Sequence, residues 1–408
     1  MDNRGRVCDS MKWRQLRGIG LGVCIGALVA WTFVAQANDT NNLRQILPFD
    51  AKALWLMKQA RAILETYHVD GESPVSEDVL VQGALRGMVS AWDDPYTRYA
   101  DPDQLREEEI DMEGEYGGLG IYIGRREGRT VVISPIEDTP ADRVGLKPGD
   151  IIAKIGEENI ADWDQNKVVQ HLRGEPGTAV TVWIAREGES ELLRFDIVRE
   201  KIEIKAVRSE MLSGDVGYVR LAHFNQKAAE ELEKAFENLE IQGAQGYILD
   251  LRNNPGGLLQ AAVDISDMFL EDGLIVGMKG RVAKANEEVY AERGSISDAP
   301  LNVLINEGSA SASEIVAGAL KDHHRGKVMG EKSFGKGSVQ TLFPLPDGSG
   351  VYVTIARYYT PSGFFIDHVG LEPEVVLSGD ISRVYSEDLQ LQEAHKDMRA
   401  ILLTLPKF

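Results

Sequence analysis

The sequence predicts a multidomain chain of mixed class, α/β and α+β together, on three observations. From 199 onward short apolar strand patterns alternate with amphipathic helices, the order that builds crossover helices on a mostly parallel sheet. Between about 112 and 198, short β segments follow one another with turn glycines between them. Apolar residues at helical spacing open and close the chain. At 408 residues, 43% hydrophobic and 26% charged, it is long enough for two or three cores and lacks the composition of a disordered chain.

Residues 1–37 differ in kind from the rest. Lys12, Arg14 and Arg17 precede an uncharged stretch from Gly18 to Ala37, which ends in Ala35-Gln36-Ala37, a small-x-small cleavage pattern before Asn38. This reads as an export signal or, with about 17 apolar residues near the lower limit for a bilayer span, as a retained membrane anchor. Either way the body is expected outside the cytoplasm, in the periplasm or on the outer face of the cytoplasmic membrane. Cys8 and Cys24 both fall in this leader, so the mature part has neither disulfide nor thiol nucleophile. Net charge is −20, and five basic against two acidic residues in 1–37 leave −23 for the remainder. That balance argues against a nucleic-acid partner, which needs clustered Lys and Arg.

Residues 38–111 form a helical region. Leu54, Met57, Ala60, Leu64 and Tyr67 stand at helical spacing, and Val79 to Trp92 reads as a second amphipathic helix that Asp94-Pro95-Tyr96 breaks. Such a segment is too small for a strong core and is expected to pack on another domain or subunit. From 112 to 198, strands are expected at Gly120–Ile123, Thr130–Ser134, Ile151–Ile155 and Val180–Ala185. Pro140-Ala141, Gly145-Leu146, Pro148-Gly149-Asp150 and a helix near Gln165–Leu172 stand between them. This order resembles a PDZ domain, a small β-barrel-like module, with Tyr116-Gly117-Gly118-Leu119-Gly120-Ile121 where its carboxylate-binding loop opens the ligand-pairing strand. The resemblance implies β-augmentation: an extended peptide pairs with the sheet edge while loop amides hold its terminal carboxylate. Gly118, Leu119, Gly120 and Ile121 are the expected peptide-binding residues. Arg173, just past the helix, reads by itself as a solvated charge at a helix C-terminus.

Between 199 and 379, strands are expected at Val216–Leu221, Gly246–Leu251 and Val303–Asn306. Helices are expected at Ala228–Leu239, after Gly257 and from Ala312. Residues 380–408 close the chain with Leu391, Ala394, Met398, Ile401 and Leu402 in helical register, a helix suited to docking on the opening helices or to assembly.

The chemistry concentrates where strands end, the usual place in α/β folds. Val303-Leu304-Ile305 feeds into Asn306-Glu307-Gly308-Ser309-Ala310-Ser311, and helix follows from Ala312. A hydroxyl there sits among unpaired backbone amides able to hold an oxyanion, the Ala312 amide among them. A second donor is expected from the turn Arg252-Asn253-Asn254-Pro255-Gly256-Gly257, Gly256 before Gly257, since glycines let backbone approach an anion closely. Serine also caps helices, and propensity does not separate Ser309, Ser311 and Ser313. Twenty-five residues past Ser311 comes Lys336, in Ser333-Phe334-Gly335-Lys336-Gly337, and four further on Gln340. A lysine activates a hydroxyl only when neutral. Free lysine titrates at about 10.4, so a pocket must lower that value by roughly 2–3 and bury Lys336.

Together these motifs resemble the C-terminal processing, or tail-specific, serine proteases, over nearly everything from about 50 to 405. The resemblance implies a crotonase-like α/β core with a Ser/Lys dyad. It makes Ser311 the nucleophile, Lys336 the base and Gln340 the residue that orients it, with Gly256 or Gly257 and Ala312 as oxyanion hole. It implies that Arg173 senses the bound tail. It also implies protein substrates with unstructured C-termini, no cofactor, and an adaptor lipoprotein in some relatives, while the apolar terminal helices themselves lead to the expectation of a homo-oligomer built through them.

Three other readings compete. A Ser-His-Asp triad would draw on Asp322, His323, His324 or His368, since triads are set by geometry rather than order. Metal catalysis has little to draw on, because the seven histidines show no metal-ligand spacing. A peptide-binding scaffold with little or no hydrolysis would use the PDZ domain alone.

Overall fold

The computed structural model describes residues 51–405 apart from 70–74, 127, 137, 293, 380 and 383, so the expected leader lies outside the described residues. Among the described residues no helix is long and apolar enough to cross a membrane. The chain divides into two compact units, one taking the described residues up to Pro102 with Gln340–Thr354, the other Asp103–Val339 with Ile355 onward. This division puts the PDZ segment, the α/β layer and the C-terminal helix together and joins 340–354 to the opening helices, a partition that sequence order does not reveal.

In the first unit the expected helices form at Ala51–Tyr67 and Glu77–Ser90. The second is capped by Ser76, whose hydroxyl accepts from the Val79 amide, and Glu77 and Asp78 complement the positive end of its dipole. It stops short of Trp92, because Asp94 draws the Tyr96 amide and the Thr97 hydroxyl into a turn. A short strand, Arg98–Ala100, pairs antiparallel with Tyr352, Val351 and Gly350 and buries Tyr99 and Ala100. The first helix leaves Leu54, Trp55, Ile63 and Leu64 more than half exposed.

The second unit begins with the helix Pro102–Glu113, of which Pro102 itself falls in the first unit. Its PDZ segment is a sheet in the order Ile121–Arg126, Arg129–Pro135, Ile151–Ile155, Ala179–Ala185 and Leu193–Val198. Leu119, Val132, Ile152, Val168, Leu172, Val182 and Ile184 fill one core against the helix Gln165–Leu172. Ile121–Arg126 is one of the two edge strands, as a module that binds peptides by strand addition requires. Sequence patterning misses Leu193–Val198 and the pair Glu115–Gly118 with Glu200–Glu203, which closes the segment at its two ends. Leu193–Val198 does alternate Leu, Phe and Ile with Arg and Asp, a period of two open to sequence reading, whereas Glu115–Gly118 and Glu200–Glu203 are too short and polar to show one.

The α/β layer is a six-stranded sheet. Val207–Leu212 lies antiparallel at one edge, and Val216–Leu221, Gly246–Asp250, Leu301–Ile305, Lys327–Gly330 and Val375–Val376 follow in parallel. Strand alternation sends Val219, Leu249, Val303 and Ile305 to one face, where the helices Ala228–Ile241, Leu259–Asp267 and Ala312–Asp322 cover them. Val216, Ile248, Leu304 and Met329 point to the other face and meet Leu391, Ala394 and Met398 of the C-terminal helix Leu389–Thr404. That helix therefore docks on the catalytic sheet within its own unit. Burial on both faces explains why the central strands read as continuous apolar runs.

Candidate active site

The strand Leu301–Ile305 ends in a loop that starts the helix Ala312–Asp322, and that loop separates the three serines. Ser309 is fully buried, its hydroxyl donating to the Leu251 carbonyl at 2.8 Å and accepting from the Asn306 amide at 2.9 Å. Ser313 is equally buried and donates to the Asn254 carbonyl at 2.9 Å. Both are structural. Ser311 stays half-buried at the head of the helix with φ 55° and ψ −112°, a left-handed backbone that a side chain adopts only at a cost of about 1–3 kcal/mol. An ordinary N-cap has an extended backbone. The strain marks Ser311 as a residue turned outward by its surroundings.

The turn 252–257 is locked to this loop. Asn306 accepts from the Asn253 amide at 2.7 Å and donates to the Asn253 side chain at 2.9 Å, while the Ala310 amide donates to the Asn254 carbonyl at 3.0 Å. Gly256 has φ 99°, and a Cβ there would lie 2.7 Å from the Ala310 oxygen and 2.9 Å from the Ser311 Cβ, so only glycine fits. Its amide, however, donates to the Asn254 side chain at 2.9 Å. The donor favoured from sequence is thus spent inside the turn, and Gly256 contributes closeness instead. Its carbonyl accepts from the Phe224 amide at 3.2 Å, so the Gly257 N–H of the same trans peptide points the opposite way. Ala312, the first helical residue, carries one of the amides that a helix start leaves without an intrahelical partner.

Lys336 is half-buried, short of the full enclosure its chemistry suggests, but its backbone is firmly placed. The Glu314 carboxylate, itself fully buried, accepts on one oxygen from the amides of both Ser311 and Lys336 at 2.9 Å each. The other oxygen accepts from the Ser333 hydroxyl at 2.5 Å and the Gly335 amide at 2.7 Å. The backbones of Ser311 and Lys336 are therefore no farther apart than two hydrogen bonds. Burial pushes the Glu314 carboxyl above its ordinary value, and the bonds from Ser333, Gly335, Ser311 and Lys336 offset this only in part.

Gln340 belongs to the other unit, where its side chain donates to the Thr354 hydroxyl at 3.3 Å. The groups weighed for a triad turn to other partners among the described residues. His323 bonds the Leu274 carbonyl at 2.7 Å, Asp322 accepts from the Ser362 amide at 2.9 Å, and His368 lies exposed 3.6 Å from Asp367. His324 lies just past the end of the helix Ala312–Asp322, with φ 54°.

In the PDZ loop the Leu119 carbonyl accepts from the Ala141 amide at 2.9 Å and the Gly120 carbonyl from the Ile136 amide at 2.8 Å. Across each trans peptide, the Gly120 and Ile121 amides point away from these partners. Gly118 packs so closely on the Tyr116 ring that a Cβ would come within 2.7 Å of it. Arg173 is not the solvated charge expected of a helix end: it forms an ion pair with Glu107, and its guanidinium lies 4.7 Å from the centre of the Tyr116 ring.

The family model for peptidase family S41 matches residues 215–377, and that for the PDZ domain matches 117–197. The chain is 41% identical over 311 residues to the carboxy-terminal-processing protease of Bartonella bacilliformis, covering 75% of this chain and 71% of that protein. It belongs to this family of processing proteases. It is also similar to the carboxyl-terminal-processing protease of Synechocystis sp., with 38% identity over 301 residues, 72% of this chain and 70% of that one. The carboxy-terminal processing protease CtpA of Bacillus subtilis is 36% identical over 299 residues, 73% of this chain and 64% of that one. The chain is thus a serine-type processing peptidase with a PDZ domain.

Sequence reasoning passed over Glu314 and Arg252. Glu314 stands three residues after Ser311, the spacing of a capping box, and that spacing was its available signal. Arg252 lies in the glycine turn and gave none, because its partner Asp388 is far away in the chain.

Proposed function

We propose that this peptidase captures free, unstructured C-terminal tails in its PDZ domain and cleaves them with a dyad of Ser311 and Lys336, outside the cytoplasm. One observation carries the reading: of three serines in the motif, only Ser311 is half-exposed and strained, and the carboxylate that holds its amide also holds that of Lys336. The neutral Lys336 amine takes the proton of the Ser311 hydroxyl as Oγ attacks the scissile carbonyl. The Gly257 and Ala312 amides donate to the developing oxyanion, with Gly256 supplying the close approach. Protonated Lys336 then gives its proton to the leaving amine, and water hydrolyses the acyl-enzyme with Lys336 again as base. Gln340 orients the lysine amine.

The outward amides of Gly120 and Ile121, beside Gly118 and Leu119, are suited to a terminal carboxylate, and the edge strand Ile121–Arg126 to the residues before it. Arg173 gives the tail a charged neighbour once it leaves Glu107. Amidating the C-terminus of a model substrate should therefore raise KM about tenfold or more with a smaller effect on kcat, as steady-state cleavage would record. Equal kinetics for both peptides would remove the PDZ domain from recognition. The exposed Leu54, Trp55, Ile63 and Leu64 suit an assembly of like chains through the opening helices. An adaptor lipoprotein is a compatible further partner.

The glycine turn offers a separate check. Gly256→Ala adds a methyl against the Ala310 carbonyl and Ser311 at a positive φ, and kcat should fall about 10–100-fold. Undiminished kcat would detach the turn from catalysis.

A further inference from the structure

Apart from the dyad, the described chain holds a buried cluster of charges formed by Arg252, Asp250 and Asp388. Arg252, with no exposed side-chain surface, opens the glycine turn and forks onto two carboxylates. Nε and Nη2 donate to Asp250 at 2.9 and 2.8 Å, and Nη1 and Nη2 donate to Asp388 at 2.9 and 2.8 Å. Every other handle on Arg252 is held too: its amide donates to Asp250 at 2.9 Å, and its carbonyl accepts from Arg220 at 3.3 Å. Asp250 also accepts from the Tyr218 hydroxyl at 2.8 Å and from Arg220 at 3.2 Å. Asp388 caps the C-terminal helix, accepting from the Leu391 amide at 2.8 Å, and Gln390 adds a longer contact to Arg252 at 3.4 Å.

We propose that Asp388 is a positioning residue for peptide cleavage, acting through Arg252 to fix the start of the turn that presents the Gly257 amide. The C-terminal helix is then part of the catalytic apparatus as well as of the core. Fixing Arg252 sets where Asn253 leaves the strand, and Asn253 and Asn254 carry that placement to the Ser311 loop through their bonds to Asn306 and Ala310. A paired, buried guanidinium suits such a role, because its planar fork fixes direction as well as distance. The inference rests on the reading of this turn as one side of the oxyanion hole.

The full-length protein carries the test. Asp388→Asn preserves the helix cap, since Asn caps as well as Asp, but sets an amide NH₂ against the Arg252 donors. Expected are a fall in kcat of tenfold or more, KM within twofold of wild type, and a parallel fall in the rate of Ser311 phosphonylation by a fluorophosphonate, which needs the same oxyanion site. Asp388→Glu, which keeps the charge, should recover part of both rates. Should Asp388→Asn not fold, Asp388→Glu is compared with wild type by the same measurements and should lose kcat but not KM. Unchanged kcat and phosphonylation in a folded variant, or a loss confined to KM, would overturn the proposal. Absence of Ser311 labelling in wild type would instead remove the dyad reading, and this inference with it.

Discussion

Ser311→Ala, Lys336→Ala and Lys336→Arg should each lower kcat/KM on a substrate with a free tail by about 10³-fold or more while the protein stays folded. The Glu314 bridge explains why folding survives, because its bonds go to the amides of Ser311 and Lys336 and not to their side chains. Arginine is the informative replacement: it is long enough and basic enough, but it stays protonated at every working pH and so has no lone pair to offer. A charge acting only by attraction would tolerate it. With a lysine base, kcat should also rise with pH as the amine loses its proton, wherever chemistry limits turnover. Cleavage by Lys336→Ala at a tenth of the wild-type rate or more would end the dyad assignment, and so would a kcat indifferent to pH between about 6 and 9.

The parts of this molecule that local sequence encodes were legible. Val216–Leu221 and Gln165–Leu172 form where apolar period and turn residues place them, since those signals act within a few residues. Leu193–Val198 pairs with the neighbouring Ala179–Ala185 and alternates apolar with charged residues, so its signal was locally present and went unread, whereas Glu200–Glu203 offers one apolar residue and a distant partner in Glu115–Gly118. At the site the motif spacing pointed to Ser311 and Lys336, but the choice among serines had to come from resemblance. In the structure the choice is physical: Leu251 and Asn254 consume the other two hydroxyls, and neither carbonyl is near them in the chain. Gly256 shows the converse limit. Glycine spacing reveals that backbone must come close, but not which amide remains available, because the Asn254 side chain decides that from two residues away.

Glu314 carries the second large effect. Four donors converge on a carboxylate with no exposed surface, and two of them belong to the backbone of the proposed nucleophile and base. Removing the acceptor leaves those donors in a site that water does not readily reach, at about 1–3 kcal/mol for each one left unpaired. Glu314→Ala is therefore expected to lower stability by several kcal/mol and to reduce cleavage to near background, measured by thermal melts and steady-state kinetics. Glu314→Gln separates the two losses. One oxygen survives as an acceptor, and the Ser333 hydroxyl can rotate to accept from the new NH₂, whereas the Gly335, Ser311 and Lys336 amides cannot turn. The amide variant should remain folded and lose about 10–100-fold in kcat, because the Ser311 and Lys336 loops no longer share one fully accepting group. Wild-type kcat in Glu314→Gln would mean that the two loops keep their spacing by packing alone, with the carboxylate only filling the space between them.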